Sequence, residues 1–195
     1  MKKTVSMSGF TMVELVTVIV LLGILSAVAL PRYLDLQKDA RIAALEGVKG
    51  AVEDAARLAY AKAVIDGVEK MKRSSPDGDH SIEDGGAYSS TNLGDLELKY
   101  GYPEAFAEDG GIDIVDHLEL GKNGIDDYDW DVCYSGNATG CFNPKNNDSV
   151  RVGIGIKDNY YRECYVRYEE PKDPDPSTGI SERETPKITI ETDEC

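Results

Sequence analysis

A single carboxylate stands among apolar side chains near the start of the chain. From Phe10 to Pro31 the sequence reads FTMVELVTVIVLLGILSAVALP, and Glu14 is the one charged residue in it. An unpaired carboxylate near the centre of a hydrocarbon layer costs about 2.5–3.5 kcal/mol, and less near the interface. Such a group needs a positive partner. If the backbone is cut between Gly9 and Phe10, the new ammonium on Phe10 lies about one helical turn from Glu14, and opposite charges attract strongly in a low dielectric. Within one helix Glu14 is expected to point away from its own amino end, so the pair is better satisfied between neighbouring helices offset along a common axis. On that reading Glu14 sets the register in which identical chains stack.

Two other groups of residues carry potential chemistry. Cys133, Cys141, Cys164 and Cys195 are even in number and contain no Cys-x-x-Cys pair, which favours disulfides over zinc in an oxidising compartment. Asp173, Asp175, Ser177, Ser181 and Glu184 fall at positions 1, 3, 5, 9 and 12 of a calcium-loop spacing. The glycine, Gly179, comes one place late, and Pro174 and Pro176 constrain the turn, so a solvated loop is the expected state there. No H-E-x-x-H, G-x-S-x-G or phosphate-cradling glycine loop occurs, and His80 and His117 sit in acidic polar stretches. Catalysis is not indicated, and no cofactor is expected.

The elements that must position Glu14 are legible from hydropathy. Phe10 to Leu30 is a 21-residue apolar run, about 32 Å as a helix at about 1.5 Å per residue, enough to cross a hydrocarbon layer of about 30 Å. Lys2 and Lys3 precede it and favour a cytoplasmic amino flank, placing the rest of the chain on the far side of the membrane. Ala27-Val28-Ala29 after an apolar run also suits an ordinary secretory signal, but a disposable signal has no use for an embedded glutamate. From Arg32 to about Met71 apolar residues recur at steps of three and four (Leu34, Ile42, Leu45, Val48, Val52, Ala55, Leu58/Ala59, Ala63, Val64, Val68), which predicts an amphipathic helix with one core face. Asp39, Arg41, Glu46, Lys49, Glu53, Asp54, Arg57 and Lys62 fall on the opposite face. The two helical stretches together make a spine, interrupted or bent near Pro31.

Beyond the spine the pattern changes. Ser74 to Asn92 is turn-rich and reads as a surface loop. Trp130 to Tyr134, Val150 to Ile156, Glu163 to Tyr168 and Lys187 to Glu191 cluster β-formers, predicting an antiparallel sheet of about four strands with one face on the helix. The expected fold class is therefore α+β: a long helical spine, then a sheet. Glu169 to Thr185, with three prolines and many charges, reads as an exposed loop. The 195 residues carry 21 Lys and Arg against 36 Asp and Glu, a net charge of -15. A phosphate backbone would be repelled, so nucleic acid is not an expected partner.

Lys2-Lys3, then Ser8-Gly9-Phe10-Thr11-Met12-Val13-Glu14-Leu15, with Pro31 closing the apolar run, resembles the amino-terminal signal of type IV pilins and type II secretion pseudopilins. Met12 departs from the leucine common in relatives, a conservative change. The resemblance implies a leader over residues 1–9, cut after Gly9 by a prepilin peptidase that also methylates the nitrogen of Phe10. It further implies a transmembrane and polymerisation helix over 10–31, an amphipathic helix over 32–72 and an acidic headpiece over 73–195. Glu14 would serve docking in the fibre, and the helix between Gly23 and Pro31 would unwind on assembly, in keeping with the weak helix propensity of Gly and the missing hydrogen bond at Pro.

The stretches Pro31 to Arg41, Ala44 to Gly50 and Ala61 to Gly67 resemble the mannose-sensitive haemagglutinin (MSHA) branch of type IVa pilins in particular. The region from Cys164 to Cys195 is similar to the cysteine-bounded carboxyl region of pilins. Of the three possible pairings, Cys133 with Cys141 and Cys164 with Cys195 is the favoured one, although a second bridge departs from the usual single pilin disulfide. The implied partners are further copies of the chain, the peptidase, an assembly machinery with a separate ATPase, the inner membrane before assembly, and host or surface glycans. A type II secretion pseudopilin and a membrane-anchored periplasmic binding module are the competing expectations.

Overall fold

The computed structural model describes residues 11–71, 88–91, 94–107, 111–120, 129–134, 148–158, 162–173 and 185–195. The element order is α1 (Met12–Asp66), β1 (Tyr88–Ser90), β2 (Asp95–Lys99), β3 (Tyr102–Pro103), α2 (Ile114–His117), β4 (Asp131–Tyr134), β5 (Ser149–Gly153), β6 (Tyr165–Glu169) and β7 (Lys187–Glu191). A long amino-terminal helix is followed by antiparallel sheet, in agreement with the α+β expectation. The chain divides into two compact units, Met1–Ala40 and Arg41–Cys195.

In the first unit every described residue is exposed, including Leu15, Ile19, Leu21, Leu22, Ile24, Leu25, Val28 and Leu30. The helix that begins here is long and apolar enough to cross a membrane by length and composition. Thr17 and Ser26 donate their hydroxyls to the carbonyls of Glu14 and Leu22 at 2.9 and 2.7 Å, which removes free polar groups from the apolar surface. Pro31 lies inside the helix, which runs from Met12 to Asp66, so of the interruption or bend expected there, the interruption does not occur.

In the second unit α1 buries Leu45, Val48, Val52, Ala55, Ala56, Ala59 and Ala63, a set dominated by steps of three and four. The expected face therefore holds, with corrections: Ala59 rather than Leu58 faces inward, while Leu34, Leu58 and Val64 are exposed. The helix stops earlier than expected. Gly67 takes φ 75°, the Gly67 and Val68 amides donate to Val64 O and Ala63 O at 3.3 and 2.9 Å, and this double bond pattern closes the last turn with glycine in the left-handed region.

Strands β4–β5–β6–β7 form a sequential antiparallel meander, with Val132 opposite Val152, Val152 opposite Val166 and Val166 opposite Ile190. Those residues, with Tyr134, Val150 and Tyr168, join Leu45, Val48, Val52, Ala55 and Ala56 of α1 in the main core. A second sheet, β1–β2–β3, was not expected, and part of the presumed surface loop, Tyr88–Ser90, belongs to it. Leu96 and Leu98 of β2 pack on Ala59 and Ala63 at the far end of α1. The Tyr100-Gly101 turn between β2 and β3 has positive φ at both residues (53° and 81°), as a two-residue hairpin of the type I′ kind requires. A Cβ on Gly101 would also meet the Tyr60 ring at 2.9 Å.

Candidate assembly site

The Gly9–Phe10 junction lies outside the described residues, but Glu14 does not. Its carboxylate folds back on the helix start: the Thr11 amide donates to Glu14 Oε2 at 2.9 Å, the Thr11 hydroxyl donates to the same oxygen at 2.6 Å, and the Glu14 amide donates to Thr11 Oγ1 at 3.3 Å. This is a capping box, in which a Thr and a residue three positions later satisfy each other's amides. The expectation that Glu14 points away from its own amino end is thus corrected. The physical reason is that the first amides of a helix have no partner within it and the carboxylate reaches one of them. The T-x-x-E spacing was the sequence signal for it.

Gly23 and Pro31 sit in regular helix. Nothing approaches within 4 Å of where a Gly23 Cβ would be, so crowding within the chain does not explain a glycine there. Pro31 has no amide hydrogen and deprives the Ala27 carbonyl of its helical partner. Both positions weaken the helix between them without breaking it.

In the second unit Cys164 and Cys195 form a disulfide with Cα atoms 4.9 Å apart, the favoured pairing. Cys133 is also disulfide-bonded, while Cys141 lies outside the described residues. Arg41, expected on the solvated face of α1, instead donates to the Cys195 carbonyl at 2.8 Å. The bond from the Glu194 amide to Glu163 O (3.1 Å) adds to this anchorage. The segment after β6 is less exposed than its composition suggested, because Glu170 and Pro171 are buried. Glu170 accepts from Lys99 Nζ at 2.9 Å and from the Ala105 amide at 3.1 Å, and Tyr168 donates to Pro103 O at 2.6 Å. These bonds latch the β2–β3 hairpin to the end of β6, and no motif in the sequence announced them.

Of the candidate calcium ligands only Asp173 is described; it accepts a hydrogen bond from the Tyr100 hydroxyl at 3.2 Å, and Asp175, Ser177, Ser181 and Glu184 lie outside the described residues. Among the described residues no group of three His, Cys, Asp or Glu side chains is placed to hold a metal ion. Asp113 is a buried acid that sequence reasoning missed. It caps α2 by accepting from the Val115 and Asp116 amides at 2.8 and 2.9 Å, and it accepts from the Tyr134 hydroxyl at 2.7 Å. Burial, and secondarily the Asp116 charge, raise its pKa to about 6.

No family model matches the chain, and no solved structure matches it. Over 57 residues it is 46% identical to the type IV narrow pilus major component PilA5 of Thermus thermophilus. The aligned stretch is 29% of this chain, and the chain spans about half of that relative's length, 46%.

Proposed function

We propose that this chain is a structural subunit of a type IV pilus, of the MSHA-like kind, with no catalytic role. The observation that carries the reading is the stretch of α1 from residue 12 to residue 31, apolar and exposed along its length and bearing one charge, Glu14, near its start. Exposed apolar surface of this extent requires a bilayer or other copies of itself to cover it. The likeness to a pilus major component supports the filament over a secretion pseudopilus. In this reading a prepilin peptidase cuts after Gly9 and methylates Phe10, and the precursor waits in the inner membrane with its headpiece outside. An assembly machinery with its own ATPase then draws it into the fibre. Glu14 exchanges its bond to Thr11 for the Phe10 ammonium of an adjoining copy, and Gly23 and Pro31 let the intervening helix loosen. The exposed headpieces serve attachment to surfaces, including glycans. Mass spectrometry of filaments sheared from cells is the test: the expected mature chain begins with N-methylated Phe10, and a chain beginning at Pro31 or lacking filaments overturns the reading.

A further inference from the structure

Strand β7 pairs with β6 and forms one edge of the larger sheet. Its other side presents a row of backbone amides and carbonyls with no strand to meet, and among the described residues no hydrogen bond reaches them. Side chains alternate along the strand. Ile188 and Ile190 face the core and are only partly buried against it. Lys187, Thr189 and Glu191 lie on the opposite face, where Lys187 and Glu191 are exposed and have no ion-pair partner among the described residues. Glu169, across from Lys187 on β6, turns instead to Arg167 at 3.8 Å.

We propose that the free edge of β7 is the contact surface for β7 of a second copy of this chain, the two strands running antiparallel about a two-fold axis at Thr189. Lys187-Ile188-Thr189-Ile190-Glu191 is its own complement in that register. Lys187 of each copy stands opposite Glu191 of the other, Ile188 opposite Ile190, and Thr189 opposite itself. Opposite charges and β-branched pairs directly across an antiparallel ladder are favourable, and about four to six backbone hydrogen bonds form between the strands. A slip of one residue would turn the isoleucines of one copy to the charged face of the other, and a slip of two would leave Lys187 or Glu191 opposite Thr189. Charges on an edge strand discourage pairing when they meet like charges or apolar groups; in this register they meet their opposites. The core-facing row Val132, Val152, Val166 and Ile190 then continues into Ile188, Tyr168, Val150 and Tyr134 of the other copy. On the outer face, Glu191 of one copy is followed by Lys187 and Glu169 of the other, alternating in sign. Such a contact is isologous and closes at two copies. Its axis is perpendicular to the sheet, so it reverses the part of α1 that packs there. It therefore cannot join neighbours within one bundle of parallel helices, and in the filament reading above it bridges two filaments. The contact itself does not depend on that reading.

The test uses the detergent-solubilised full chain. Thr189→Cys places a thiol at the axis, where antiparallel strands hold facing Cα atoms about 4.5–5.5 Å apart, within disulfide reach. Mild oxidation is expected to give a covalent dimer on a non-reducing denaturing gel, severalfold above the yield from Ala61→Cys, an exposed position on α1. In the Thr189→Cys background, Lys187→Glu and Glu191→Lys each lower the dimer yield severalfold, because each sets like charges across the ladder. Mixing the two variant chains restores it as a heterodimer, since every charged pair across the ladder is again of opposite sign. A strand merely loosened by substitution does not recover on mixing. A yield no higher than that of Ala61→Cys, indifference to the charge changes, or no recovery on mixing overturns the contact. None of these outcomes bears on the pilus reading, which the mass spectrometry of sheared filaments tests separately.

Discussion

Glu14 performs one task in the isolated chain and is proposed to perform another in the fibre, and the two tasks ask different things of its side chain. Capping the Thr11 amide needs only an acceptor at the third position, which glutamine supplies as well as glutamate. Meeting an ammonium in a low dielectric needs the charge. Glu14→Gln therefore separates the two where Glu14→Ala removes both. The expected outcome is that both variants are cleaved after Gly9 as efficiently as the unaltered chain, and that both lose surface filaments to a similar degree. If Glu14→Gln assembles normally while Glu14→Ala does not, the capping box is what matters and the charge pairing between copies is wrong. Western blotting of precursor and mature forms, with counts of filaments by electron microscopy, reads both steps. The two roles were unequally legible. An acid within a long apolar run is conspicuous, whereas a threonine three residues before it is unremarkable until the open helix end is considered.

At the scale of elements, the helix face and the meander could be read because both bury one side at a regular period. Leu45, Val48, Val52, Ala55 and Ala63 announce the inward face of α1, and all four strands of the larger sheet appear close to where β-formers cluster. The second sheet was not legible, since its strands span three, five and two residues. Buried Glu97 and Lys99 also disguise β2 as a surface segment. Those polar groups go under only because other parts of the fold meet them, as Glu170 meets Lys99, and such long-range partners leave no local pattern. The tie between α2 and β4 is of the same kind and has a measurable consequence. Asp113 is buried with a pKa raised from 3.8 to about 6, by desolvation first and the Asp116 charge second, while burial and the neighbouring carboxylate hold Tyr134 protonated. A folded-state pKa above the unfolded one means that the folded chain binds the proton more tightly. The contribution of Asp113 to stability therefore rises as pH falls from above 6 towards 4 and is least favourable above pH 6. Asp113→Asn removes the charge and keeps the hydrogen bonds, because the Tyr134 hydroxyl can accept as well as donate. The variant is expected to be more stable than the unaltered chain at pH 7, by about 2–3 kcal/mol at most, and equal to it near pH 4. Thermal unfolding of the detergent-solubilised chain across that range gives the answer, and a stability gap that widens on acidification refutes the assignment.

For the molecule as a whole, the question is what keeps a second unit of modest core in one conformation. Apolar burial is concentrated where α1 meets the two sheets, and the acids that give the net charge of -15 oppose compaction by mutual repulsion. Covalent closure offsets that. The Cys164–Cys195 bridge joins residues 31 apart, and by the chain-entropy relation a loop of that size stabilises the folded state by about 3–4 kcal/mol. Its position matters as much as its size: Cys164 immediately precedes β6, and Cys195 is held by Arg41 at the beginning of the second unit's part of α1. The bridge thus fastens the last residues after β7 to the middle of the sheet, with the Arg41 bond reaching the helix. Replacing both cysteines by alanine frees that segment in the unfolded chain, and Arg41→Ala breaks only the hydrogen bond. The double alanine variant is expected to lose about 3–4 kcal/mol in chemical denaturation of the solubilised chain. Arg41→Ala should lose about 1–2 kcal/mol, and the unaltered chain treated with reductant should lose at least as much as the double variant. If reduction leaves the denaturation midpoint unchanged, the bridge is not what closes the second unit, and the burden falls on the Lys99–Glu170 latch and the core of α1.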